Sequence, residues 1–537
     1  MHPCILLTSW MNSHGNRLLA KVRQLATRLA RVIRPGMLSP PEQSYANAAA
    51  VAVDPLAVLQ AAAQCFAKAG ELVEALRAHQ AALQISPASP HDLFRAGELL
   101  GQLGRYDEAL PYFEHACERQ PALFERREVL GRIHWIVQDR AAAERVWRAW
   151  RVEQDERARE RGIDPGAFRV LGTNWTGWLG NNAHLDAYIK LGLLGWRQQI
   201  PLKLLAPEGR TANYAYARLW SAYVELVTDP PEVERLAALE GLIGDSLYTM
   251  EVRGIPTYYP HAIALAQDEW ERQGRHPLLG VSAELVARGR AELERLGVPS
   301  DAWFACLHVR ELGFWAERND PTNSPRVARV ESYFPALRAI VSAGGYVVRL
   351  GDPSMRPLPP MGGVVDYALS DAKSDWMDVF LSASCRFLVG TNSALYQTAI
   401  SFGVPAVATN WMPLSSFPMQ RRDIVLPKLL RSRDSGRMLT FADMLALPRD
   451  VWSGYLYQHH GLDVVDNTAD EILEAVDEML AKLAGVWPNI EARAAREERF
   501  KRIAVSHCVQ VNGAIAAGFL ARHADLLDGS EYESLTT

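Results

Sequence analysis

The sequence predicts an α + α/β chain in which helical repeats are followed by two lobes built on parallel sheets. Three observations carry this. Small and apolar residues recur at a spacing of 34 between Gly70 and Pro121. After Pro165, short apolar runs alternate with helix-patterned segments, the rhythm of strand–helix–strand units. Those apolar runs end in glycine, hydroxyl-bearing or charged residues, which puts polar chemistry along one edge of each sheet.

Composition bounds the reading. The chain has 537 residues, 48% hydrophobic and 22% charged, enough for several packed domains. Its formal net charge of −5 argues against a general nucleic-acid binder. Cysteines stand scattered at 4, 65, 117, 306, 385 and 508 with no C-x-x-C pair, the pattern of free thiols in a reducing compartment. No H-E-x-x-H helix and no zinc-type cluster appear. The apolar run Cys4 to Met11 is too short for an export signal. The uncharged stretch from Phe387 to Gln420 is interrupted by Pro and Gly, so it reads as buried strand, loop and helix, not as a bilayer span. A cytoplasmic location is expected.

The elements follow in order. Residues 1–50 form a basic arm and linker. Arg17, Lys21, Arg23, Arg28, Arg31 and Arg34 accompany Leu18, Val22, Leu25, Leu29 and Val32 at helical spacing. Such a helix can touch an anionic membrane, or can cap the next domain or stay solvated. Residues 51–160 hold the repeats: Gly70 matches Gly104, Ala75 Ala109, Leu76 Leu110, Ala82 Ala116 and Pro87 Pro121, with a weaker third copy at Ala143 and Trp147. A helical hairpin has an apolar face that only a stacked neighbour can bury. With its Ala109-x-x-x-Phe113 step, this block looks like tetratricopeptide repeats, which implies either recruitment of a partner or packing on an adjoining domain.

The first lobe spans 161–300. Phe168–Leu171 reads as a strand, Gly172–Asn182 as a Gly/Asn-rich loop, and a helix begins near Ala183. Gly177, Gly180 and Asn181 let backbone approach a ligand closely, and His184 is a candidate general base. The second lobe spans 301–500, with a terminal helix and tail over 501–537. Its strands are "WFACLHVR", "YVVRLGD", "CRFLVGTNS" and "VPAVATNW", each a buried-type apolar run. His308, Arg310 and Glu311 follow the first. Arg349 and Asp352 follow the second, and Thr391, Asn392 and Ser393 lead the third into a helix. Arg310 offers a forked, always-charged grip on a diphosphate, or a partner for Glu311. Hydroxyls and free N–H groups at a helix start suit a phosphate, and they are also the usual N-cap. Lys373, Asp375 and Asp378 precede the helix before the third strand, where a carboxylate can meet a ribose or base edge, or serve a helix start.

Residues 300–480 resemble two-lobed (GT-B) glycosyltransferases. "HVRE" at 308–311 is similar to the His-x-Arg signature of the fucosyltransferase-like superfamily, and 378–407 resembles its second signature. The whole chain resembles bacterial proteins that join tetratricopeptide repeats to such a transferase, and Arg318, Asn319 and Tyr333 fit that group. The resemblance implies two Rossmann-like lobes and a nucleotide-sugar donor. It implies Arg310 on the donor diphosphate, aided by Thr391 and Ser393, with Asp352 or Asp378 near the nucleoside. Inverting transfer to a protein or surface-glycan hydroxyl would follow. Glu311-Leu312 stands where many fucosyltransferases carry a second Arg followed by Asp, so the likeness does not name the sugar. No Asp-x-Asp occurs, so the expected transfer uses no metal and no cofactor. Glu311, Asp320 and His184 are the candidate bases. The alternatives are a non-catalytic repeat scaffold or a sugar-nucleotide epimerase on the same fold.

Overall fold

The computed structural model describes residues 55–120, 125–311, 325–416, 420–449, 454–487 and 491–528. The basic arm at 1–50 and the residues Arg318, Asn319 and Asp320 lie outside them. The chain divides into two compact units, Met1–Val137 and Gln138–Thr537.

In the first unit, α1 (Pro55–Lys68) pairs with α2 (Leu72–Ile85), and α3 (Pro90–Gln102) with α4 (Tyr106–Arg119); α5 (Glu125–Ile136) follows. Gly70 at φ 77° and Gly104 at φ 73° turn the chain inside the two pairs, in a backbone region that disfavours other residues. Ser89 caps α3, and Pro90 occupies its first turn, where a missing N–H costs nothing. The period seen in the sequence becomes a buried seam: Ala75, Ala82, Ala109 and Ala116 are fully enclosed. A Cβ on Gly97 would sit 3.0 Å from the Phe113 ring, so a small residue is needed at that crossing.

The second unit begins with α6 (Arg140–Glu160), the helix that closes the expected repeat block. It packs on the first lobe. Arg151 pairs with Asp245 at 2.6 Å, Arg169 with Asp155 at 2.9 Å, and Ala158 joins a core of Val170, Leu205, Val227, Leu236 and Ile243. The first lobe's sheet is parallel and small, in the order β1 (Arg169–Leu171), β2 (Leu202–Leu205), β3 (Glu225–Val227). Helices α7 (Leu179–Leu193), α8 (Tyr214–Leu219), α9 (Pro230–Ala237) and α10 (Glu240–Ile243) surround it. A hairpin of β4 (Thr249–Val252) and β5 (Ile255–Tyr258) leads to α11 (Tyr259–Arg272) and α12 (Ala283–Arg295).

The second lobe is built on a seven-stranded parallel sheet. Its strands are β6 (Phe304–His308), β7 (Tyr346–Arg349), β8 (Val364–Val365), β9 (Leu388–Gly390), β10 (Ala406–Trp411), β11 (Ile424–Pro427) and β14 (Ala514–Ile515). Helices α13 (Phe334–Ser342), α14 (Asp375–Ser384) and α15 (Ala394–Ser401) connect the central strands. A small antiparallel pair, β12 (Leu429–Ser432) with β13 (Leu462–Val465), and helices α16 (Phe441–Ala446), α17 (Tyr455–His459), α18 (Ala469–Leu483), α19 (Glu491–Ser506) and α20 (Ala517–Arg522) complete it. The two short elements after 501 belong to this lobe, since β14 pairs in parallel with β11. Among the described residues no helix is long and apolar enough to cross a membrane.

Candidate functional site

The sheet order is β14-β11-β10-β9-β6-β7-β8. From β6 the chain winds outward through β7 and β8. It then returns to lay β9 against the other side of β6 and winds outward the opposite way. The strand order therefore reverses between β6 and β9. In open parallel sheets this switch point opens a crevice at the carboxyl edge, because the flanking connections leave in opposite directions. The residues that emerge there are His308 to Glu311 from β6 and Thr391 to Ser393 from β9.

The register is tight: His308 is paired with Gly390. A Cβ on Gly390 would lie 2.0 Å from the His308 carbonyl oxygen, so only glycine permits this approach. One residue further on, the Thr391 N–H donates to that carbonyl at 3.0 Å. The Arg310 N–H donates to Thr391 Oγ1 at 2.9 Å. Asn392 Nδ2 donates to the Met412 carbonyl at 3.2 Å, and Ser393 caps α15 by accepting from the Tyr396 N–H. All three side chains thus hold the loop in shape, while Thr391 and Ser393 retain hydroxyl protons.

Arg310 is partly buried, and that burial lowers its guanidinium pKa without removing its charge. Burial, with the Arg310 and Arg349 charges adding to it, pushes the His308 imidazole down to about 4. His308 is therefore neutral at physiological pH, and its Nδ1 lies 3.3 Å from the Leu350 carbonyl.

Arg349 and Glu311 have a different place from the expected one. Arg349 is fully enclosed and forms an ion pair with Glu311, which is itself only 4% exposed. Its other nitrogen donates to the Arg356 carbonyl at 2.7 Å and reaches Asp366 at 3.2 Å. A buried guanidinium needs this degree of pairing, since an uncompensated one costs several kcal/mol. The two side chains brace the loops behind the crevice. Asp352 accepts from the Ser354 N–H at 2.9 Å and shapes its own turn. Asp378 is held by Lys373 and by the Tyr367 hydroxyl, with burial raising its pKa against the Lys373 charge. Asp375 reaches across to the first lobe, where its Oδ2 accepts from the Tyr214 N–H at 2.9 Å.

On the first lobe the expected loop is shorter than the sequence suggested. Trp178 is extended, and α7 starts at Leu179, so Gly180 and Asn181 lie in its first turn while Gly177 stays in the loop. Asn181 Nδ2 donates to the Asn174 carbonyl at 2.9 Å. Gly180 faces α15 directly: a Cβ there would lie 3.2 Å from Gln397 Oε1 and 3.5 Å from the Ala394 Cβ. The two helix starts, one from each lobe, therefore meet beside the switch point.

His184, one of the candidate bases, is turned by α7 into the seam between the lobes; it is 6% exposed, with its ring tilted against Tyr259 at 4.5 Å between centres. Burial pushes its pKa to about 3. It lines a small cavity with Asp186, Gln267, Gln397 and Ser401 that has room for about one water molecule. His184 Nδ1, Asp186 Oδ1 and both polar atoms of the Asn182 amide have no hydrogen-bond partner among the described residues. At 6% exposure the imidazole is largely enclosed.

One polar cluster was not foreseen as a unit. Asn410, at φ 48°, exchanges hydrogen bonds with Asn467, and its amide donates to the Tyr333 hydroxyl at 3.1 Å. Tyr333 also meets Thr409 at 2.6 Å. The signal in sequence was Thr409-Asn410 near the end of a buried strand; Asn tolerates the left-handed backbone found where the β10–β11 register shifts between Ala408 and Trp411.

No protein-family model and no curated protein matches the chain. Solved structures similar to it include a glycosyl transferase family 9 protein from Veillonella parvula, at 12% identity and a TM-score of 0.25, covering 56% of this chain and 80% of that one. Another is a mutant O-GlcNAc transferase from Thermobaculum terrenum, at 11% identity and a TM-score of 0.25, covering 94% of this chain and 96% of that one.

Proposed function

We propose that the chain is a glycosyltransferase that moves a sugar from a nucleotide-sugar donor to an acceptor hydroxyl. One observation carries the reading: the switch point between β6 and β9 joins an arginine-bearing strand end to the capped start of α15, tied by the Arg310–Thr391 hydrogen bond. A helix start with unsatisfied N–H groups, next to a strand end that carries an arginine, suits an anion such as a diphosphate. Arg310 is assigned to the donor diphosphate, with the α15 N–H groups and the Thr391 and Ser393 hydroxyls assisting. His308 sits behind them as a neutral support. The acceptor oxygen attacks the anomeric carbon, the bond to the diphosphate breaks, and the acceptor proton passes to a base. Of the expected bases, Glu311 is paired and His184 is largely enclosed, while Asp320 lies outside the described residues. The helical repeats are read as the recruiter of a protein acceptor, in a cytoplasmic, metal-independent and inverting enzyme. Metal independence rests on the lack of Asp-x-Asp in the sequence.

Calorimetric titration with a panel of nucleoside diphosphates tests the site, and donor screening by mass tests the transfer. Binding of one diphosphate, lost in Arg310→Ala, supports the reading. A second reading, a non-catalytic scaffold, is favoured by the internal pairing of Glu311, Arg349 and Asp378. It predicts that no nucleotide binds. An epimerase would consume donor with no acceptor present.

A further inference from the structure

The first unit holds a cluster that the transfer reading does not use. His79 comes from the middle of α2, and His91 and Asp92 come from the first turn of α3. Their ligand atoms all lie within 4.8 Å of one another. His79 Nδ1 is 2.8 Å from Asp92 Oδ1, and His91 Nδ1 is 3.5 Å from the same oxygen. The other carboxylate oxygen, Oδ2, accepts from Gln60 Nε2 at 2.7 Å and from Ser89 Oγ at 2.6 Å. These two bonds fix the carboxylate plane and leave Oδ1 turned toward both imidazoles. His91 Nδ1 is shielded from solvent and has no hydrogen-bond partner among the described residues.

We propose that His79, His91 and Asp92 form a binding site for a divalent first-row cation, Zn2+ foremost. Two imidazole nitrogens and one carboxylate oxygen are a borderline donor set that suits zinc, with a fourth position left for water. Zinc–ligand distances of about 2.0–2.2 Å put tetrahedral ligand atoms about 3.3 Å apart. The His91–Asp92 separation already matches, and the His79–Asp92 contact need open by only about 0.5 Å. Gln60 and Ser89 stand where outer groups orient a metal-bound carboxylate. The half-exposed His91 ring gives the ion a way in. Bound metal would fasten α2 to the start of α3 across the turn at 86–89. This site is independent of the strand-end crevice and of the reaction proposed there.

The test uses the untagged full-length chain, freed of metal by chelator and titrated with Zn2+, then with Co2+. The expected result is one tight equivalent, a raised melting temperature, and visible Co2+ absorption of four-coordinate intensity. His91→Ala should weaken binding at least ~10-fold and Gln60→Ala by ~10–100-fold, the scale of an outer-shell loss. Because His91 is half-exposed, its truncation leaves the helix packing intact, and His79→Gln serves as a second ligand variant. Absence of stoichiometric uptake, or uptake unchanged in both histidine variants, overturns the proposal.

Discussion

The backbone N–H of Arg310 donates to the Thr391 hydroxyl across the reversal of strand order, at 2.9 Å. This bond adds to the ladder between β6 and β9, where the Thr391 N–H also donates to the His308 carbonyl at 3.0 Å. Together these bonds hold the two loops at the proposed anion site in register. Thr391→Val would leave a buried N–H without an acceptor, costing about 1–3 kcal/mol of stability. Diphosphate affinity should fall with it, and Thr391→Ser should restore both. Chemical denaturation and calorimetry read the two effects side by side.

Arg310→Ala should depress kcat/KM by ~10²–10³, equivalent to about 2.7–4 kcal/mol of transition-state stabilisation. Steady-state kinetics with the identified donor checks this. Near-normal turnover would remove Arg310 from the reaction.

Glu311 separates two roles. As the partner of the enclosed Arg349, its loss in Glu311→Ala should destabilise the second lobe by about 3–5 kcal/mol, because a buried guanidinium is left short of charge. The double variant Glu311→Leu with Arg349→Met should recover much of that. If Glu311 were instead the base, Glu311→Gln would cut turnover by orders of magnitude while the melting temperature barely moved.

His184 predicts a pH effect. Its folded pKa, about 3, lies below the ordinary value of 6.5, so the folded state resists protonation more than the unfolded one. The stability tied to its neutral form is complete above pH 6.5 and is lost as pH falls toward 3. The slope is up to ~1.4 kcal/mol per pH unit. Melting temperature against pH should flatten over this window in His184→Gln. An unchanged slope would mean that the imidazole is not enclosed.

Added chelator should leave transfer rates unchanged, since the proposed site meets leaving-group charge with Arg310 and helix N–H groups. Loss of turnover under chelator, restored by manganese, would contradict the metal-independent mechanism.

The strand rhythm was readable because buried parallel strands are apolar throughout, and the 34-residue recurrence because hairpin crossings admit only small residues. That is why Ala75, Ala109 and the two turn glycines could be placed from sequence. What lay beyond reach was which polar group meets which. Glu311 and Arg349 are 38 residues apart and are joined only by adjacent strands in one sheet. Local pattern does not mark His184 as buried; α11, through Tyr259 and Gln267, and α15, through Gln397 and Ser401, enclose it. His79 and Asp92 are 13 residues apart, and the packing of α2 against α3 brings them together. Local pattern determines elements, whereas pairing at their ends depends on register and on helix docking.

The edge strand Ala514–Ile515 has a bearing on biogenesis. It pairs with Ile424 and Val425. A ribosome releases the middle of the sheet first and this border last. For about ninety residues of synthesis the β11 border is a nascent ladder open to any passing strand. Chains truncated ahead of 514 should need chaperone shielding to stay out of inclusion bodies.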